Sequence, residues 1–191
     1  LDFGRSFSFK IHEHFCKRKF NIPYAAIDKR HGFKTPPTGW MTWYAVQFNA
    51  SEKVVLENAK ALAEKLGSFS EKLVVWVDWE WCHKAFDGLG EKGVDVFNPR
   101  KEAYPNGLAY VADEIKRLGL LPALWTGATN DGQQNALLKK RPEWVLAQKP
   151  EWCGQFWIDP SNPELVNEYI PAVFKQILDW GYKIVKWDCL P

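Results

Sequence analysis

The chain has 191 residues, of which 46% are hydrophobic, and a formal net charge of +2. This length suffices for one domain with a sizeable core. The nearly balanced charge gives no case for nucleic acid or an anionic membrane as a partner. No apolar run approaches the roughly 20 residues that a membrane span needs. We therefore expect neither nucleic acid nor a membrane as a partner.

The cysteines make neither a metal site nor a disulfide scaffold. They form no C-x-x-C pair and lie far apart, so the spacing of metal ligands is absent. Their density is far below that of a disulfide-rich domain. We expect reduced thiols and favour a cytoplasmic location. The chain begins at Leu1 rather than at a methionine, and we expect the natural N-terminus to lie upstream.

Residues 1–34 differ in pattern from the rest of the chain. Five apolar residues partly alternate with polar ones, as on a half-buried strand: Phe3, Phe7, Phe9, Ile11 and Phe15. A strong breaker follows at residues 35–39, with the sequence TPPTG. We expect residues 1–34 to be the tail of an upstream domain or a linker, and residues 35–191 to form the main domain.

The main domain alternates between strand-like and helix-like segments. Strands are predicted at residues 40–48, 73–77, 120–125 and 182–187, with a short extra strand at 156–158. Helices are predicted at residues 54–66, 106–118, 133–140 and 163–180. Such alternation implies a parallel sheet. A complete (β/α)8 barrel needs about 250 residues, so the predicted fold is α/β, a partial TIM barrel with roughly the first four β/α units.

Candidate site residues lie at the predicted strand ends. Active sites of such barrels are built at the C-terminal ends of the strands, which selects Trp43, Asp78, Trp125 and Asp188. Lys186 would share a face with Asp188, because side chains alternate along a strand. A nearby ammonium group favours an ionised carboxylate, as a nucleophile requires. From spacing alone, a surface ion pair explains Lys186 and Asp188 equally well.

Seven short motifs follow one another between residue 37 and the end of the chain. They are residues 37–43 (PTGWMTW), 77–81 (VDWEW), 104–108 (YPNGL), 123–125 (ALW), 141–146 (RPEWVL), 158–164 (IDPSNPE) and 186–188 (KWD). Together they resemble the α-galactosidase clan, glycoside hydrolase families 27 and 36, in the right order. The resemblance covers residues 36–191 and implies the N-terminal half of the clan's catalytic barrel.

The resemblance implies a retaining glycosidase acting on an oligosaccharide or glycoside. Asp188 would be the nucleophile, and a strand beyond Pro191 would supply the acid/base. Lys186 and Asp78 would bind sugar hydroxyls, while Trp43 and Trp125 would shape the subsite of the terminal sugar. Two carboxyl groups suffice for this chemistry, so neither a metal nor an organic cofactor is expected.

Two positions depart from the clan's pattern. The paired aspartates of the second strand are Asp78-Trp79 here, and the clan's Arg-Asn-Gln is replaced by residues 153–155 (CGQ). Both departures bear on the identity of the sugar more than on the nucleophile. On a regular strand Glu80 would share the face of Asp78, so Glu80 is a further candidate for sugar binding.

The leading interpretation is a fragment of a retaining α-galactosidase-like hydrolase. The alternatives are a hydrolase or transglycosidase of the same clan acting on another α-linked sugar, and a non-catalytic carbohydrate-binding relative. A half-barrel leaves open strand edges and lacks the acid/base, so the isolated chain is expected to show no turnover. The sequence leaves the oligomeric state open.

Overall fold

The structure is a computed structural model that describes residues 8–21, 36–70, 72–82, 96–131, 140–151 and 154–188. The helix predicted at residues 133–140 lies outside the described residues except for its last position, as do Cys153 and Cys189. Contacts divide the chain into two units, Leu1–Pro36 and Pro37–Pro191.

The described part of the first unit contains one short helix, α1 (Phe15–Phe20). Phe9 and Ile11 precede it outside regular structure and are 77% and 81% exposed. The half-buried strand predicted here is therefore wrong for the described residues. Over so few residues, partial alternation does not distinguish a strand from exposed chain.

The described part of the second unit combines strands and helices. The strands are β1 (Thr38–Met41), β2 (Leu73–Val77), β3 (Leu121–Thr126), β4 (Asn130–Asp131), β5 (Val145–Glu151), β6 (Gly154–Ile158) and β7 (Ile184–Trp187). The helices are α2 (Thr42–Ala45), α3 (Glu52–Leu66), α4 (Gly107–Arg117) and α5 (Ile170–Asp179). None of the helices in the described ranges is both long and apolar enough to cross a bilayer.

Four strands form a parallel sheet in the order β1-β2-β3-β7. This is the order of consecutive β/α units in a barrel. The central strand β2 is a β-branched run in which Val74, Val75 and Val77 are 0% exposed. Parallel strands covered on both faces have this composition. The main apolar core lies between this sheet and its helices.

Local signals explain where the long helices begin and end. The Ser51 hydroxyl accepts a hydrogen bond from the Val54 N–H at 3.3 Å and caps α3. Gly119 follows α4 with φ of 76°, a conformation that glycine adopts without strain. Helical structure also begins at Pro163 and continues through a π-helical stretch, Leu165–Tyr169, into α5.

The strand predicted at residues 40–48 is wrong beyond Met41. The chain turns there into α2 and then into a 3₁₀ turn, Gln47–Asn49. The turn buries Thr42, whose hydroxyl accepts the Asp78 N–H at 2.9 Å. This contact with the end of β2 is tertiary, so an aromatic run in the sequence does not reveal it.

A second, antiparallel sheet has the order β4-β6-β5. The short strand predicted at residues 156–158 is confirmed within β6. Strand β5 was not predicted, because residues 145–151 lack a clear alternation of polar and apolar residues.

Candidate active site

Three strands bring candidate residues to one edge of the parallel sheet. Asp78 follows β2, Trp125 is the penultimate residue of β3, and Lys186 and Asp188 lie in and just after β7. Trp125 and Lys186 are paired in the β3–β7 register. The C-terminal ends of parallel strands therefore place these side chains together.

Lys186 joins the two aspartates. Its Nζ donates to Asp78 Oδ2 at 3.0 Å and lies 3.3 Å from Asp188 Oδ2. The side chains differ in exposure, with 28% for Lys186, 3% for Asp78 and 44% for Asp188. One ammonium group is thus shared between a buried carboxylate and a solvent-accessible one.

This arrangement stabilises the protonated form of Lys186. Burial by itself lowers the pKa of the Lys186 ammonium group. The hydrogen bond to Asp78 and the negative charges of Asp78 and Asp188 outweigh burial, and the net shift of the pKa is upward. Lys186 therefore acts as a fixed positive charge and hydrogen-bond donor rather than as a proton donor.

Asp188 receives a second polar contact from β3. The Trp125 Nε1–H donates to Asp188 Oδ2 at 3.3 Å, and the Asp188 N–H donates to the Thr126 carbonyl at 3.0 Å. The backbone bond belongs to the last pair of the β3–β7 register, Thr126 with Trp187. The ammonium and the indole both contact Oδ2, which fixes the orientation of the Asp188 carboxylate.

Asp78 is more tightly held than Asp188. Its Oδ1 accepts the Trp79 N–H at 2.9 Å, and its Oδ2 accepts the Lys186 ammonium at 3.0 Å. Its own N–H donates to the Thr42 hydroxyl at 2.9 Å. Thr42 was missed as a candidate from the sequence, although it lies within the PTGWMTW motif.

The aromatic candidates occupy different positions. Trp43 does not end a strand but lies in α2, and its ring centroid is 5.6 Å from that of Trp79 and 5.5 Å from that of Phe48. Trp79 also lies 6.4 Å from Trp125, measured between ring centroids. Trp43 thus packs against Trp79 in an aromatic cluster beside the strand ends, and its contact with a sugar stays a prediction.

Glu80 does not lie on a strand. Strand β2 ends at Val77, and Trp79–Trp81 form a 3₁₀ turn, so the alternation argument for Glu80 was wrong. Glu80 is 0% exposed, and among the described residues neither carboxyl oxygen has a hydrogen-bond partner. Burial is the main cause that raises the Glu80 pKa to about 8. Its role in sugar binding stays a prediction, to which full burial is unfavourable.

Two further residues near Glu80 were missed as site candidates from the sequence, although Tyr104 lies within the YPNGL motif. The Arg100 Nη1–H donates to the Glu80 carbonyl at 2.9 Å. The Tyr104 hydroxyl is buried and, within the described ranges, without a hydrogen-bond partner. Both precede α4 in the chain and reach the site only through the tertiary fold.

The described residues offer no cluster of three or more His, Cys, Asp or Glu side chains that could hold a metal ion. Cys16 is an exposed thiol. The Cys82 thiol is buried and donates to the Trp79 carbonyl at 3.3 Å.

A parallel sheet of consecutive β/α units with charged residues at the strand ends is typical of the class of (β/α)8-barrel proteins. The family model described as Melibiase matches residues 10–190. The chain therefore belongs to the melibiase family, and the predicted resemblance to the α-galactosidase clan is confirmed.

Individual relatives agree with this assignment. A probable α-galactosidase of Dictyostelium discoideum is 26% identical over 164 residues, which cover 78% of this chain and 41% of the relative. The α-galactosidase AgaA of Geobacillus stearothermophilus is 29% identical over 150 residues, which cover 76% of this chain and 20% of AgaA. The chain thus spans less than half the length of either relative.

Solved structures agree on the fold. The crystal structure of the family 36 α-galactosidase AgaA superposes with a TM-score of 0.64 at 26% identity, covering 81% of this chain and 21% of AgaA. That of AgaB from the same organism gives a TM-score of 0.62 at 27% identity, covering 81% of this chain and 21% of AgaB. The predicted partial barrel is thereby confirmed.

Proposed function

We propose that the intact protein containing this chain is a retaining α-glycoside hydrolase of the α-galactosidase type, with Asp188 as its nucleophile. The observation that carries the proposal is the position of the Lys186 ammonium, 3.3 Å from the accessible Asp188 carboxylate and anchored on buried Asp78 at 3.0 Å. The α-galactosidase names of the relatives support the type of reaction.

In this mechanism the ionised Asp188 carboxylate attacks the anomeric carbon. The bond from that carbon to the leaving oxygen breaks, and a carboxylic acid donates a proton to the leaving oxygen. The same acid, now ionised, then takes a proton from water, which attacks the glycosyl ester and releases Asp188. The side chain of Asp188 is 44% exposed, so a sugar can reach its carboxylate.

A retaining mechanism needs the second carboxyl group roughly 5–5.5 Å from the nucleophile. Asp78 is 3% exposed and bound to Lys186, so it is unsuited to proton transfer with a leaving group. Glu80 is 0% exposed and cannot contact the leaving oxygen. We assign the acid/base to none of the described residues.

The proposed contacts with the sugar follow from the geometry. An ammonium group has three N–H donors, and Lys186 directs donors at Asp78 and Asp188, which leaves one for a sugar hydroxyl. Asp78 supports that contact mainly by holding Lys186. Trp125 orients Asp188 and would form part of the wall beside the terminal sugar.

The first substrate class to test is oligosaccharides with a terminal α-galactosyl unit. Variants of Geobacillus AgaA have been crystallised with raffinose and with stachyose. In this chain the second aspartate of the clan's second strand is replaced by Trp79, which is 2% exposed and packed on aromatic rings. This replacement favours the alternative that the preferred sugar is another α-linked one.

Replacing the nucleophile tests the proposal. In the intact protein, Asp188→Ala should abolish hydrolysis of aryl α-galactosides, and azide should restore part of the turnover by forming a β-glycosyl azide. Asp113→Ala is the matched control, because Asp113 is 62% exposed on α4 and pairs with Lys116. Unchanged hydrolysis by Asp188→Ala would refute the assignment of the nucleophile.

A panel of aryl α-glycosides tests the sugar. If an α-glucoside or α-N-acetylgalactosaminide were hydrolysed in preference to the α-galactoside, the proposed mechanism would stand. The assigned sugar would then be wrong. Saturable binding of sugars with no turnover of any glycoside would instead support the non-catalytic carbohydrate-binding relative.

A further inference from the structure

Glu80 is a buried acid that the proposed mechanism does not use. The residue is 0% exposed, and neither carboxyl oxygen has a hydrogen-bond partner among the described residues. Burying an ionised carboxylate without partners is far more costly than burying the neutral acid. The location of the side chain therefore selects its protonated form.

The backbone of Glu80 is fixed by contacts on both sides. Asp78 Oδ1 accepts the Trp79 N–H at 2.9 Å, and Arg100 Nη1 donates to the Glu80 carbonyl at 2.9 Å. The Trp81 indole donates to the Trp125 carbonyl at 3.0 Å. The 3₁₀ turn is thus tied to β3 and to the segment before α4, and these contacts hold the Glu80 backbone in place.

Charged and titratable groups surround the Glu80 carboxyl on several elements. Asp78 and Lys186 interact with it electrostatically, the first repelling and the second attracting its ionised form. Tyr104 also interacts with Glu80, and its hydroxyl lacks a hydrogen-bond partner within the described residues. The groups that in turn face Tyr104 are Arg100, Cys82 and Tyr182.

Among these groups Lys186 matters most for the site. Its ammonium is already shared by two carboxylates, at 3.0 Å from Asp78 and 3.3 Å from Asp188. The Arg100 guanidinium is engaged by the Glu80 carbonyl and by the Glu102 carboxylate. A negative charge on Glu80 would therefore attract chiefly the Lys186 ammonium group.

We propose that Glu80 is a positioning residue of the active site. Because its carboxyl group is neutral, it does not compete with Asp78 and Asp188 for the Lys186 ammonium group. When Glu80 ionises, its proton passes to solvent, and the remaining buried charge attracts Lys186 away from Asp188. The inference rests on the proposed function, because Asp188 is the group whose environment changes.

The experiment compares pH profiles of kcat/KM for the intact wild-type protein and for Glu80→Gln. Burial raises the Glu80 pKa to about 8, so wild-type kcat/KM should fall above that pH by up to about tenfold per pH unit. Glu80→Gln has nearly the same shape and no charge at any pH. Relative to its own value at pH 6.5, the kcat/KM of Glu80→Gln should stay level over the pH range in which that of the wild type falls.

Glu57→Gln is the matched control, since Glu57 lies on α3 with 63% of its side chain exposed, and it should follow the wild-type profile. An alkaline decline of the same midpoint in Glu80→Gln would overturn the inference. No hydrolysis by the wild type at any pH would instead overturn the proposed function.

A measurement on the wild type serves if Glu80→Gln does not fold. Glutamates labelled with ¹³C in the carboxyl group are titrated by NMR in the intact protein. One glutamate should titrate near pH 8, well above the ordinary value of 4.5, and the Lys186 resonance should shift with it. The absence of any glutamate titrating above pH 7, or of the coupled Lys186 shift, would overturn the inference.

Discussion

Asp78 and Asp188 bind the same ammonium group from two different environments. The Asp78 side chain is 3% exposed and also accepts the Trp79 N–H, whereas that of Asp188 is 44% exposed and contacts the Trp125 indole. Breaking a buried ion pair leaves an uncompensated charge, while an exposed pair contributes little to stability. The comparison separates an aspartate that holds the site together from one that is available for chemistry.

The largest expected effect is a contrast between two matched substitutions, one of which should mainly reduce activity and the other mainly stability. In the intact protein, Asp188→Asn should lower kcat/KM by about 10⁴-fold, as expected for a nucleophile, and change the free energy of unfolding by less than about 0.5 kcal/mol. Asp78→Asn should cost about 2 kcal/mol of stability, because Lys186 loses its anchor. Hydrolysis assays and urea unfolding measure both quantities. Equal losses of stability in the two variants would contradict the comparison.

Glu80 extends the comparison to a carboxyl group with no exposure at all. Its pKa is about 8 in the folded chain against an ordinary value of 4.5, so between these values only the folded state binds the proton. The stability from this proton is fully present below pH 4.5 and is lost as the pH rises through 8. The slope is about 1.4 kcal/mol per pH unit.

Urea unfolding of the intact protein at several pH values between 5 and 8 measures this slope. Glu80→Gln should lack it, so the variant should gain stability relative to the wild type as the pH rises. Glu57→Gln should retain the wild-type slope, because Glu57 is 63% exposed. Parallel curves for the wild type and Glu80→Gln would show that Glu80 ionises normally.

Removing the shared cation tests the same buried ion pair from its other side, and its effect on stability should equal that of Asp78→Asn. Lys186→Gln leaves the buried Asp78 carboxylate without its cation and should cost about 2 kcal/mol, less than a fully buried pair because Lys186 is 28% exposed. Lys175→Gln is the control, since Lys175 is 73% exposed, and should cost less than about 0.5 kcal/mol. Adding Asp78→Asn to Lys186→Gln should recover part of the loss, and full additivity would argue against coupling.

The predictable parts of the fold depend on local signals. Strand β2 is a run of β-branched residues, and α3 begins at a serine cap, so both were placed correctly. Alternation also predicted that Lys186 and Asp188 share a face. In the structure Lys186 Nζ lies 3.3 Å from Asp188 Oδ2.

The parts that were missed depend on contacts between distant segments. The contact between Lys186 and Asp78 requires the β2-β3-β7 order, which one strand pattern does not contain. The turn after β2 is fixed by Arg100 and by the Trp81 bond to β3, and it removed Glu80 from the face where alternation had placed it. The barrel rule therefore predicted which strand ends meet, whereas the individual side-chain contacts between strands could not be predicted.

The smallest expected effect concerns the second contact of Asp188. The Trp125 Nε1–H donates to Asp188 Oδ2 at 3.3 Å, a long hydrogen bond, and Trp125→Phe removes the donor while keeping an aromatic ring. We expect a fall of about 3- to 10-fold in kcat/KM, since a weak hydrogen bond to a charged group contributes about 1 kcal/mol.

Trp144→Phe is the matched control for the lost volume. Trp144 is also fully buried, and its Nε1–H lies 3.4 Å from the Glu164 carboxylate, away from the strand ends. Both variants should lose about 1–3 kcal/mol of stability, because each leaves a small cavity. Only Trp125→Phe should lower kcat/KM. A shared loss of activity would mean that packing, rather than the indole donor, orients Asp188.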